Sequence, residues 1–239
     1  MNLPPEPILM DKKNDLLTLF QITDSFFPSG SFAYSWGLET YVHEGMIRNR
    51  QELQKFLEAY FVGFIAQGDA VILKLSWEAA QKEDLGSLIR LDRLTHSLKL
   101  AKELREGSLH TGRQILKVMS GIRKMLFLER YAEGVDMGRA WGHHPVVFGM
   151  VCGIWGIYQE DSVLAYLYQS LSALVSAGVR LIPLGHMDGQ RSIEEMKPLI
   201  QRISKNLVEI GEGDISTFAP GLEIRSMRHE HLYTRLFKA

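Results

Sequence analysis

The feature that most restricts this chain is the spacing of its apolar residues, which recur every three or four positions. Leu164, Leu167, Tyr168, Leu171, Leu174, Val175, Gly178 and Ile182 form one such stripe, and Leu53, Phe56, Leu57, Tyr60, Phe61, Phe64 and Ile65 another. That period places each set on one face of a helix. Period-two alternation bounded by hairpin turns appears nowhere, so strands find no support. The expected fold is therefore all-α, a single-domain globular bundle of about ten helices across residues 1–239. At 239 residues and 46% hydrophobic, the chain can bury a sizeable core without disulfide or metal.

Breakers and caps divide the stripes. Residues 1–10 hold three prolines and predict a loose N-terminal arm. A short apolar helix is expected from Asp15, and another from Ser31 to the breaker Gly45. Asn49 with Glu52 reads as a capping start, Gly68-Asp69 as a break or bend, and Asp84 as a further cap. Residues 97–119 and 129–136 read as helices, and His143-His144-Pro145 opens one toward Tyr158, with proline suited to a first turn. Asp161 or Ser162 should cap the long helix, which stops at Pro183 and passes to a polar loop over residues 185–190. A last helix over about 192–210 precedes a glycine-rich loop and a tail over about 221–239.

A formal net charge of −1 recruits neither nucleic acid nor an anionic membrane. Cys152 is the one cysteine, which excludes an intramolecular disulfide and a thiolate zinc cluster. The amino terminus, broken by prolines and acids, does not read as a signal peptide. The most apolar run, residues 146–158, falls short of the roughly 20 residues that span a bilayer. A cytoplasmic protein is expected.

Motifs with chemistry are few. Residues 107–114 (GSLHTGRQ) have phosphate-loop glycines but lack the lysine and Ser/Thr, and they follow a helical pattern; glycines that let helices approach are the better reading. His143-His144 point about 100° apart on a helix, and His229 and His231 share a face only if extended. Neither pair is assigned to metal. No His-Glu-x-x-His or Gly-x-Ser-x-Gly occurs, so no catalytic, cofactor or metal residue is assigned and no enzyme activity is expected. The alternative is a helical enzyme with a small-molecule pocket using histidine and carboxylate as acid and base.

Three features remain. Between Lys99 and Arg130 eight Lys/Arg face three acids, either a solvated face or a surface for an acidic partner. Arg180, in an apolar helix, needs carboxylate or carbonyl partners if buried, or serves the helix C-terminus. With His186, Asp188 and Gln190 it marks a structural or functional corner. The tail carries Leu222, Ile224, Met227, Tyr233, Leu236 and Phe237 interleaved with Arg225, Arg228, His229 and Arg235. So much apolar side chain at a chain end asks for a surface to cover it.

Several blocks together resemble one family, the urease accessory proteins of the F type. They are residues 26–39 (FFPSGSFAYSWGLE), 103–108 (ELREGS), 144–149 (HPVVFG), 175–190 (VSAGVRLIPLGHMDGQ), and 220–224 (PGLEI) with 226–230 (SMRHE). They run in order over essentially the whole chain; His143-His144 before the proline carries more histidine than the pattern expects. The resemblance implies an all-helical, dimer-forming cytoplasmic protein without enzyme activity. Its implied partners are a UreD/UreH-type accessory protein, the GTPase UreG and apo-urease, in a complex that delivers nickel to the urease active site. It also implies that the tail and neighbouring helical surface engage the UreD/UreH partner.

Overall fold

A computed structural model describes residues 12–238, with side chains from residue 16 onward. The expected arm over residues 1–10 lies outside the described residues. Those described are helical and contain no strand. The helices are α1 (Lys12–Thr23), α2 (Leu38–His43), α3 (Arg50–Tyr60), α4 (Ala70–Gln81), α5 (Leu85–Leu98), α6 (Lys102–Ile122), α7 (Leu126–Asp136), α8 (His144–Ile154), α9 (Gln159–Leu181), α10 (His186–Asn206) and α11 (Pro220–His229). A π-helical stretch, Phe61–Asp69, joins α3 to α4. The resulting helix is continuous from Arg50 to Gln81.

The core is built around α8, buried from His144 to Gly153. Its two glycines let it lie almost backbone to backbone on α4. A Cβ on Gly149 would fall 2.3 Å from the Leu73 carbonyl oxygen, and one on Gly153 2.8 Å from that of Trp77. Helix α6 covers the other side: a Cβ on Gly112 would meet the Gly142 carbonyl oxygen and the His143–His144 backbone. Of the glycines in residues 107–114, Gly112 thus lets α6 approach the start of α8, whereas Gly107 makes room for the Tyr34 and Trp36 rings. Helix α9 runs across the assembly and touches α1, α2, α3, α4, α8 and α10.

Local chemistry accounts for the boundaries. The Asn49 side chain accepts the Glu52 N–H at 3.0 Å, and Asp84 accepts that of Ser87 at 3.0 Å, as expected of caps. The segment after Ser31 departs from the expected helix. It forms one 3-10 turn over Ser31–Ala33, and α2 starts only at Leu38 because Trp36 and Gly37 both take positive φ, 52° and 86°. A tryptophan there is strained. Its ring is held against the Gly107 face and lies 5.4 Å from the Tyr34 ring.

Four further boundaries differ from expectation. The long helix starts at Gln159 behind Tyr158, so Asp161 and Ser162 lie inside it and do not cap it. Gly68-Asp69 does not break its helix; the π-helical turns widen there, and the Ser216 and Phe218 N–H groups donate to the Gln67 and Gly63 carbonyls at 3.0 Å each. The expected helix over residues 97–119 is split at Lys99–Ala101 between α5 and α6, because Lys99 turns inward to an acid. The expected loop over residues 185–190 is mostly helix: α10 begins at His186, with the Asp188 carboxylate accepting the Gly185 N–H at 3.4 Å. The continuous Arg50–Gln81 helix and α9 are long and apolar enough to cross a membrane, unlike the run singled out from sequence. Most of their apolar windows, 67% and 56%, is buried inside the fold.

Candidate functional site

The tail is wired to the body through α11, which packs on α2 and α6. Pro220 opens the helix and Leu222, Ser226 and His229 form its buried stripe. The contact is close at Gly37, where a Cβ would lie 2.7 Å from both Leu222 and Ser226. On the outer side Arg225 and Arg228 both bond Glu44 at 2.9 Å. The Arg228 hydrogen bond holds that carboxyl below its usual range, outweighing the desolvation that opposes it, and Arg225 adds to the pull. The Arg225 guanidinium also lies over the Tyr41 ring at 4.3 Å.

His229 is fully buried between two carboxylates. Its Nε2 meets Glu39 at 2.8 Å and its Nδ1 meets Glu103 at 2.7 Å. Glu39 also accepts the backbone N–H groups of Leu236 at 2.6 Å and Phe237 at 3.1 Å. Arg235 donates to the other oxygen of Glu103 at 3.2 Å. Burial pushes the Glu103 carboxyl upward, against the pull of His229 and Arg235. The chain end then reaches Arg180, whose guanidinium is sandwiched between the Phe32 ring at 3.8 Å and the Phe237 ring at 4.3 Å. Its NH groups donate to the carbonyls of Ser176 and Phe32 at 3.2 and 3.1 Å, and the Lys238 N–H donates to Ala33.

The structure therefore joins Arg180 to the tail through Phe237. It leaves His186 and Gln190 exposed on the first turns of α10, where Asp188 pairs with Arg191 at 3.5 Å. Of the tail candidates, Leu222, His229 and Phe237 are buried, whereas Ile224, Met227, Leu236 and the fully exposed Tyr233 face outward. Glu39, Glu103 and Phe32 escaped the sequence reading as site residues. The available signal was an acid in each of two otherwise motif-like blocks, at Glu39 and Glu103. Arg180→Ala is expected to cost about 1 kcal/mol through the lost ring stacking, with Arg180→Lys recovering only part because ammonium lacks the planar face. Urea denaturation of the three proteins checks this.

A second polar cluster lies inside. Lys99 bonds Asp69 at 2.8 and 3.0 Å, and the Tyr166 hydroxyl donates to the same carboxylate at 2.9 Å. Together with Tyr60, Ser108, His144 and Gln169, Asp69 and Tyr166 line a cavity of about 30 Å³, room for about two waters. Burial lowers His144 to about 4, so its ring is neutral at pH 7. His143 is separate: burial, then nearby cations, lowers it to about 2. It contacts Ser108 and His96 at 3.1 Å each, while Asp92 accepts the N–H groups of Trp141, Gly142 and His143. Among the described residues no three His, Cys, Asp or Glu side chains converge to hold a metal. Much of the basic run after Lys99 is also used internally. Arg105 donates to the Lys99 and Leu100 carbonyls, Arg113 to that of Trp141, and Arg123 lies over Trp155.

Fold and site define a class: an all-helical protein whose own C-terminal segment is folded back and held by buried polar bonds, with an apolar and basic outer face. Residues 47–197 match the UreF family model. The chain is 36% identical to the urease accessory protein UreF of Bacillus sp. (strain TB-90) over 226 residues, covering 94% of this chain and 99% of that one. It is 35% identical to the protein of the same name from Lachnoclostridium phytofermentans over 225 residues (94% and 98%), and 34% identical to that of Sporosarcina pasteurii over 200 (84% and 99%). The chain belongs to the UreF family.

Proposed function

We propose that this chain is a urease maturation factor, cytoplasmic and without catalytic activity of its own. In this reading it bridges a UreD/UreH-type accessory protein and the GTPase UreG on apo-urease, and regulates the GTP-dependent delivery of nickel, the cargo, into the urease active site. It acts as a homodimer and as one domain whose tail over about 221–239 is the partner-binding element. Family membership supports the urease assignment, since the relatives carry the name urease accessory protein. The observation that carries the partner reading is the outer face of the docked tail, with Ile224, Met227, Tyr233 and Leu236 exposed beside Arg225, Arg228 and Arg235. Large apolar and arginine side chains held on a fixed scaffold are the composition of an interface centre.

Deleting the tail would strip Leu222, His229 and Phe237 from the core, so the test alters exposed side chains only. Tyr233→Ala and Leu236→Ala are each expected to weaken capture of the UreD/UreH-type partner by about 2 kcal/mol, roughly thirtyfold, with helical circular dichroism unchanged. Urease activation in cells holding the urease cluster should fall with them. Undiminished co-purification of both variants with that partner sinks the tail assignment.

A further inference from the structure

Both ring nitrogens of His229 lie within hydrogen-bond distance of a carboxylate oxygen, 2.8 Å to Glu39 and 2.7 Å to Glu103. All three residues are buried, with 0% of His229, 6% of Glu39 and 7% of Glu103 exposed. A carboxylate only accepts, and a neutral imidazole has one donor. Two nitrogen–carboxylate bonds therefore require one proton more than a neutral histidine and two ionised acids hold. That proton resides on the ring as imidazolium or on one carboxyl, and the count is the same in either microstate. A neutral, singly protonated ring would leave one nitrogen lone pair facing a carboxylate in a buried site, a repulsive pairing.

The surrounding charges fit this count. From α2 the ring meets Glu39, whose oxygens are held by the Leu236 and Phe237 N–H groups. From α6 it meets Glu103, from the tail Arg235 bonds Glu103, and Lys102 and Glu230 form a looser pair at 3.9 Å on the rim. Glu106, Tyr34 and Lys238 line the cleft beside them. Two carboxylates, one imidazolium and Arg235 balance to zero; removing the proton leaves net negative charge around a fully buried ring. Burial raises the Glu103 carboxyl, in the same direction as proton retention.

We propose that docking of the C-terminal tail is coupled to the uptake of one proton shared by Glu39, His229 and Glu103, so that rising pH unlatches residues 229–238 and takes apart the fixed face they present to a partner. This rests on the reading of the tail as the partner-binding element and adds its control. The sign follows from linkage. The docked state holds the proton because both ring nitrogens face carboxylate oxygens, and a solvated tail has no such requirement. Docking therefore weakens by up to tenfold per unit as pH rises above neutrality, until the docked triad itself deprotonates, and it weakens again in acid, where the released carboxylates take up protons of their own.

The test uses the full chain without partner. Hydrogen–deuterium exchange of the Leu236 and Phe237 amides, divided by the intrinsic exchange rate at each pH, is followed from pH 6 to 9 beside amides of α8. Opening of the tail amides should rise by up to tenfold per unit above neutral pH, while α8 stays flat. Glu103→Gln supplies a donor to Nδ1 and still accepts from Arg235, so its triad is complete with no extra proton and its tail opening should not increase as pH rises above neutrality. A flat wild-type profile overturns the proposal without needing the variant. A wild-type slope that survives in folded Glu103→Gln overturns it too, since another group then titrates. Because no partner is present, neither result depends on whether the tail binds UreD/UreH-type proteins, which the Tyr233 and Leu236 variants decide.

Discussion

Lys99→Met is expected to destabilise the fold by about 3–5 kcal/mol, the cost of leaving a buried carboxylate without its cation. Asp69 keeps the Tyr166 hydroxyl at 2.9 Å, but a neutral donor does not replace the ammonium group now 2.8 Å away. The surroundings offer little water: side-chain exposure is 4% for Lys99 and 10% for Asp69. Asp69→Asn with Lys99→Met should restore most of the loss, since an amide can still accept from Tyr166 and no net charge is buried. The double-mutant cycle separates the two contributions, and coupling below about 0.5 kcal/mol would mean that the pair acts independently. An unpaired buried carboxylate resists ionisation, so the Lys99→Met deficit should shrink as pH falls. Urea midpoints at pH 5 and pH 8 measure this.

That pair also shows where sequence reasoning stops. The long stripes were legible because one helix buries one face: α3 and α9 follow their apolar spacing, and the Asn49 and Asp84 caps follow from local chemistry. The break between α5 and α6 was not legible. No glycine or proline stands at Lys99–Ala101; the chain turns there because Lys99 reaches Asp69, 30 residues earlier. The same applies to Trp36, whose positive φ is held by tertiary packing against Gly107. For the site, the apolar and basic tail was visible in composition, but its acceptors were not. Glu39 and Glu103 lie 190 and 126 residues from His229, and no local period connects them. The tail had been expected to seek a surface. Part of that surface is the protein's own, which divides the tail into a buried half that holds it and an exposed half that can be offered.

Gly149→Ala is expected to cost about 3 kcal/mol although it adds a single methyl group at a position of ordinary helical geometry. Helical propensity alone would favour alanine by about 1 kcal/mol, so the sign is decided by what the methyl meets. At Gly149 that is backbone: the Leu73 carbonyl oxygen at 2.3 Å and its carbon at 3.0 Å. Side chains can change rotamer, but a helix backbone yields only by moving the whole of α4 away from α8, which loosens the largest contact in the core. Gly121, also helical, has nothing within 4 Å of the same added atom, so Gly121→Ala should be stabilising by about 0.5–1 kcal/mol. Chemical denaturation of the two variants compares opposite signs from one substitution. If Gly149→Ala matched wild type, α4 and α8 could separate without cost, and the backbone-to-backbone approach could not be what holds the centre of the fold.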